Sequence, residues 1–248
     1  MISSLDSLFV FLLGLVIGSF LNVVIYRYNT GRGLNGRSRC LHCGKVLRWF
    51  NLLPVVSFVV QRARCAKCKA KLSWQYPLVE LGTGILFFLV WRLGLRLPLT
   101  GLYLAAMAVL VVIFVYDLRH QMIPDPLAFA FIAIAALAAV LGGSLIPNAL
   151  AGLGLAAFFW LLWLGSRGRA IGFGDGKLAL GVGLLAGPEL GISAIAIAFW
   201  SGAIVGVGLL WFSRRKSYTM KSALPFAPFI IWGLWLALFF NFNVFAFF

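Results

Sequence analysis

Acid is what this sequence has least of. Its 248 residues include six Asp+Glu and two His. Charged residues make up 11% of the chain, where a soluble domain carries about a quarter. With 62% hydrophobic residues and a mean hydropathy of +1.01, this excludes disorder, a secreted disulfide scaffold and an ordinary cytosolic enzyme. No serine-centred nucleophile motif stands beside a histidine base. No glycine-rich strand–helix fingerprint for a nucleotide-like cofactor occurs either.

What is abundant is long apolar blocks, which predict an all-α polytopic membrane protein. The first block, Leu8 to Ile25, has no basic stretch before it and an Arg-rich loop after it. It therefore reads as a retained span and not a cleaved signal. The pattern predicts about eight spans, at roughly 7–26, 77–95, 98–117, 125–143, 146–165, 176–189, 191–212 and 225–247. The domain organisation expected is a first transmembrane helix over 1–26, an extramembrane domain over 27–75 that carries all four cysteines, and a transmembrane core over 76–248.

Base is plentiful: 21 Lys+Arg give a net charge of +15. In a soluble chain that would suggest nucleic acid. Here basic loops against anionic membrane lipid explain it, and no nucleic-acid partner is expected. Eight spans put segments 27–75, 118–124, 166–177 and 213–224 on one side, with 19 of the 21 basic residues. The positive-inside rule makes that side cytoplasmic. Within 27–75, Phe50 to Val60 is apolar but too short to span. It is expected to lie on the membrane surface or to pack against the cysteine site.

All four cysteines sit in that loop, as Cys40-Leu41-His42-Cys43 and Cys65-Ala66-Lys67-Cys68. Paired C-x2-C knuckles supply four thiolates, the ligand set of a structural zinc. Zinc would stabilise a loop too small to fold alone. Four thiolates leave no open coordination position, so a catalytic zinc is not expected.

The six acids divide readily. Asp6 reads as a solvated terminal residue and Glu189 as part of an outside turn. Glu80, one turn inside the second span, would pair with an arginine or meet substrate. Asp117, Asp125 and Asp175 are expected at the cytoplasmic edge of the membrane, where acids are functional by default. Asp125 reads best as a helix cap. Asp175 would also cap, but its flanking glycines permit close backbone approach. Asp117 lies at a helix C-terminal end, where the dipole disfavours an anion, so capping does not account for it. Two carboxylates that meet share one proton and activate water against a peptide carbonyl.

Tyr116-Asp117 on one span, with Gly172-Phe173-Gly174-Asp175 on a later one, resembles the GxGD intramembrane aspartyl proteases. The remaining motifs are similar to those of the bacterial type IV prepilin peptidases. These are Gly18 through Arg27, the two knuckles, Asn51 through Ser57, Gln75 through Glu80, Asp117 through Asp125 and Pro225 through Phe229. The resemblance implies catalytic aspartates at Asp117 and Asp175 and zinc ligands at Cys40, Cys43, Cys65 and Cys68. It implies an aspartic endopeptidase acting on prepilins or pseudopilins, whose short basic leader is cut after a Gly at the cytoplasmic edge. It implies a multi-pass protein of the bacterial inner membrane. It also implies, in many members, N-methylation of the new terminus with S-adenosylmethionine. Gly172, Gly174, Pro225, Pro228 and Glu80 are the expected substrate-binding residues. The Pro225–Pro228 segment would offer unwound backbone to an extended substrate, or else be a plain helix start. Two other classes compete: a non-catalytic, zinc-stabilised adaptor of a pilus or secretion machine, and a transporter with an aspartate proton relay.

Overall fold

A computed structural model describes residues 4–30, 33, 36–169, 171–212 and 225–247. The basic segment 213–224, with Arg214, Arg215, Lys216 and Lys221, lies outside them. The described residues form α1 (Ser4–Arg27), α2 (Val56–Val60), α3 (Gln75–Arg92), α4 (Leu97–His120), α5 (Asp125–Leu141), α6 (Leu145–Gly165), α7 (Phe173–Phe212) and α8 (Ala227–Phe240). Short 3-10 turns span Trp49–Leu52 and Val244–Phe247. Among the described residues there is no strand, only two isolated bridges. The chain is an all-helical membrane protein.

Among the described residues four helices, α1, α4, α6 and α7, are long and apolar enough to cross a membrane. Helices α5 and α8 are apolar but shorter. Eight crossings would need those two, α3 and both arms of α7 as well. At a rise of about 1.5 Å per residue, the 14 residues of α8 cover less than the hydrocarbon core. The last expected span, 225–247, is thus a helix that stops at Phe240, with left-handed Asn241 after it.

The chain forms two compact units, residues 1–96 and 97–248. In the first, α1 packs on α3. The buried residues of α1 include Val10, Gly14, Gly18, Leu21 and Ile25, at helical spacing along one stripe. Lipid tails are as apolar as leucine, so helices in a membrane associate through close packing and not through hydrophobic expulsion. Small residues permit it. A Cβ on Gly14 would lie 2.7 Å from the Gly84 Cα, and one on Gly18 would lie 2.8 Å from the Glu80 Cα.

In the second unit, α7 packs against α5, α6 and α8. It is one helix of 40 residues with a break at Gly187 (φ 76°, ψ −174°), followed by Pro188. The division expected near 190 falls there, because proline cannot donate to the preceding turn. Two neighbours satisfy the carbonyls that the break exposes. Asn148 on α6 donates to the Leu184 carbonyl at 2.9 Å, and Tyr103 on α4 donates to the Leu185 carbonyl at 3.1 Å. Helix α8 meets α7 at Gly233, where a Cβ would overlap the Ala194 carbonyl oxygen. Gly233→Ala is therefore expected to destabilise the protein by about 1–3 kcal/mol, read as a lower thermal midpoint in detergent.

Candidate active site and metal centre

Asp117 lies in the last turns of α4 and is 5% exposed. Its carboxylate accepts the backbone N–H of Ala227. That donor exists because Ala227 opens α8, and the first N–H groups of a helix have no partner within it. The positive end of α8 thus faces the carboxylate and offsets the unfavourable end of α4. Asp117 Oδ2 is buried and has no hydrogen-bond partner among the described residues. It is a free acceptor inside the protein, which is costly unless something comes to meet it.

Asp175 is 6% exposed. It is the third residue of α7, and its Oδ2 accepts the Gly172 N–H at 3.0 Å. This is half of a capping box, with the acid reaching back to the residue before the helix. So the capping reading of Asp175 holds for one of its two oxygens. Asp175 and Asp117 lie within electrostatic reach of each other.

The turn that carries Asp175 is gripped on two sides. A Cβ on Gly174 would lie 3.2 Å from Ile123, and one on Gly176 would run into the Trp160 indole. Trp160 and Trp163 also pack on the Phe173 ring, at 5.7 and 5.4 Å between centroids. The glycines of Gly172-Phe173-Gly174-Asp175-Gly176 allow that grip. Lys177 closes it. Its ammonium bonds to Asp125 Oδ1 at 2.7 Å and lies 5.2 Å from both the Phe129 and Phe173 rings. Asp125 was expected as a helix cap. It opens α5 but makes no capping hydrogen bond, since Pro124 holds the cap position. Its carboxylate pairs with Lys177 instead.

The Pro225–Pro228 segment is a helix start, with proline in the first turn of α8. Glu80, in the other unit, is 6% exposed and holds the chain in place. Its Oε2 accepts the Val55 N–H at 2.7 Å, and Ser19 adds a side-chain bond. Val55 has φ 60°, a strained conformation for a β-branched residue. Close by, Asn22 donates to the Tyr76 carbonyl at 3.2 Å and accepts from Gln75 at 3.1 Å.

The four cysteines converge. Their sulfurs all lie within 4.8 Å of one another, and Cys40 Sγ to Cys68 Sγ is 3.9 Å. No disulfide joins them. Ligands at about 2.3 Å around a tetrahedral ion sit roughly 3.8 Å apart, so the four sulfurs fit a bound metal. The two knuckles repeat one backbone design. Cys40 N–H bonds to Lys45 O at 2.9 Å and Gly44 N–H to Cys40 O at 3.0 Å. Cys65 N–H bonds to Ala70 O at 2.9 Å and Lys69 N–H to Cys65 O at 3.0 Å. N–H groups of Cys68 and Lys67 lower the Cys65 thiol to about 6. Cys68 moves the other way, to about 11: the Ala70 N–H favours its thiolate, but local desolvation and the neighbouring sulfurs outweigh it. Four adjacent thiols cannot all ionise without a cation between them.

Comparison with known proteins agrees with these two halves. Residues 12–93 match the bacterial peptidase A24 N-terminal domain, and residues 104–207 match the type IV leader peptidase family. The chain belongs to the type IV leader peptidase family. It is 30% identical to a prepilin leader peptidase/N-methyltransferase of Pseudomonas putida, over 94% of this chain and 90% of that protein. It is 34% identical to one of Burkholderia pseudomallei, over 94% and 85%. A relative from Myxococcus xanthus with the same name is 36% identical, over 85% of this chain and 65% of that one. No solved structure matches the chain.

Sequence reasoning missed the two backbone donors, Ala227 N–H and Gly172 N–H. The signal for the first is Pro228: proline in a first helical turn marks the N–H groups beside it as free of helix bonds. It also missed the pairing of Lys177 with Asp125, which lie 52 residues apart.

Proposed function

We propose that the protein is a prepilin leader peptidase in which Asp117 and Asp175 are the catalytic pair. The observation that carries this reading is the unpartnered, buried Oδ2 of Asp117 on a carboxylate whose charge is felt at Asp175. In this reading, one carboxylate takes a proton from water and the other gives a proton to the scissile carbonyl or the leaving amine. The N–H groups of Ala227 and Gly172 hold each carboxylate by one side, which leaves the other oxygen to act. The substrates are type IV prepilins or pseudopilins, cut after the leader glycine at the cytoplasmic face of the bacterial inner membrane. Gly172, Gly174, Pro225 and Pro228 frame the aspartates and would line the bound segment. The names of the relatives support a second activity, N-methylation of the new terminus with S-adenosylmethionine as donor. The cysteine centre holds one structural zinc, since four thiolates close its coordination shell.

The test is a cleavage assay on protein reconstituted in lipid with a full-length prepilin, read by mass. Loss of the leader after its glycine, with a further methyl mass when S-adenosylmethionine is present, is the expected result. An intact prepilin beside folded, metal-loaded protein would refute the reading and favour the adaptor. Lys177 offers a finer measurement. Lys177→Met keeps the stem between Phe129 and Phe173 but removes the ion pair. Because Asp125 is 62% exposed, stability is expected to change by less than about 1 kcal/mol. Cleavage is expected to fall roughly tenfold, as the turn bearing Asp175 loses its tether.

A further inference from the structure

One apolar surface lies outside every membrane-spanning candidate. In α2, Val56, Val59 and Val60 share one face, at helical spacing i, i+3, i+4. They are 57%, 67% and 75% exposed. Phe58 points the other way, is buried, and packs on Trp74 at 5.1 Å. Just before α2, the turn Trp49–Leu52 exposes Trp49 (76%), Phe50 and Leu52, and Leu53 follows. A soluble surface does not keep tryptophan, phenylalanine, leucine and three valines exposed along one short stretch.

The charge around this surface has one sign. Residues 27–75 contain eleven Lys/Arg and no Asp or Glu. The Arg48 guanidinium stands 5.9 Å from the Phe50 ring, and Arg62, Arg64, Lys67, Lys69 and Lys71 follow α2 directly. The segment leaves α1 at Arg27 and enters α3 at Gln75, and α1 is one of the candidate spans. The cysteine lobe is therefore tied to the bilayer at close range. Apolar side chains led by a tryptophan and bordered by cations are the composition of a segment lying in the headgroup layer.

We propose that Trp49–Val60 is an interfacial anchor. Trp49, Phe50, Val56, Val59 and Val60 enter the acyl boundary of the bilayer, and the surrounding lysines and arginines bind the phosphates of anionic lipid. The anchor holds the cysteine lobe flat against the membrane edge. A basic peptide is a poor occupant of this face, since the cations would repel it. The inference rests on the membrane reading of the chain and not on the peptidase reading, so the two fail separately.

The test uses the intact, metal-loaded protein in phosphatidylcholine vesicles containing phosphatidylglycerol. A trace of either lipid carries a photoreactive group in its acyl chain, and adducts are mapped by peptide mass. Adducts within 49–60 are expected, with about threefold more from the phosphatidylglycerol probe. Salt at 1 M should remove that preference. Val59→Asp with Val60→Asp should remove the adducts while metal content and labelling of α4 and α6 stay unchanged. Absence of adducts in 49–60, with α4 and α6 labelled, would overturn the proposal. So would equal yield from both probes, which denies the anionic lipid.

Discussion

Asp117→Asn and Asp175→Asn are each expected to lower leader cleavage by about 10³-fold or more. Asparagine has nearly the same shape as aspartate. Its carbonyl oxygen still accepts the Ala227 N–H at position 117 or the Gly172 N–H at position 175. What it loses is the ability to take up and release a proton. Stability should therefore stay close to wild type, and a thermal melt beside the cleavage assay separates lost chemistry from lost fold. The double substitution should be no worse than either single one, because the two groups act as a unit. Activity within tenfold of wild type in either single variant would end the proposed dyad. Asp125 is a weak substitute in that case, since it is 62% exposed and its charge is committed to Lys177.

Removing the metal ligands should have the second large effect. Between residues 36 and 73, only Phe58 and Cys65 are buried. Two buried side chains do not make a core, so an ion held by the four cysteines is expected to supply the order of the lobe. Cys40→Ser with Cys68→Ser is expected to reduce bound metal from about one ion per chain to none. It should also open residues 36–73 to proteolysis while residues 97–212 stay protected. Metal analysis and peptide mapping would check both, and a lobe that stays protected without metal would refute the argument. Acid should act in the same direction. Cys65 loses its proton at about 6, and only the thiolate binds. Reloading of metal-free protein needs all four thiols to give up their protons, and Cys65 is the first to do so. As pH falls through about 6, protons compete for Cys65 and reloading should weaken.

The legible parts of this protein were those written in local pattern. The C-x2-C pairs have the spacing of a metal site, and the four sulfurs do meet. The apolar blocks marked the helices, and Gly187-Pro188 marked the break in α7 within a few residues. Asp117 stood out because a helix C-terminus gives an anion no reason to be there. Other residues misled for a physical reason. Asp125, just after a proline at a helix start, has the local signature of a cap. Its partner Lys177 lies on another helix, and no local rule reports it. Glu80 read as a candidate for an arginine or a substrate; its carboxylate accepts the Val55 N–H beside a Ser19 bond, and a backbone partner carries no side-chain signal.

The sequence by itself determined the membrane class, the helical periodicity, the clustering of the four cysteines and which carboxylates merit suspicion. Each depends on residue type and short spacing, and these are complete in the one-dimensional record. Only the tertiary structure decided what each carboxylate touches. The Ala227 N–H on Asp117, the Gly172 N–H on Asp175, the Lys177 bond to Asp125 and the grip of Ile123 and Trp160 on the glycine turn all depend on how helices pack. Packing of apolar helices is set by small-residue contacts such as Gly233 against Ala194, and many glycines in such a chain look alike until the helices are brought together.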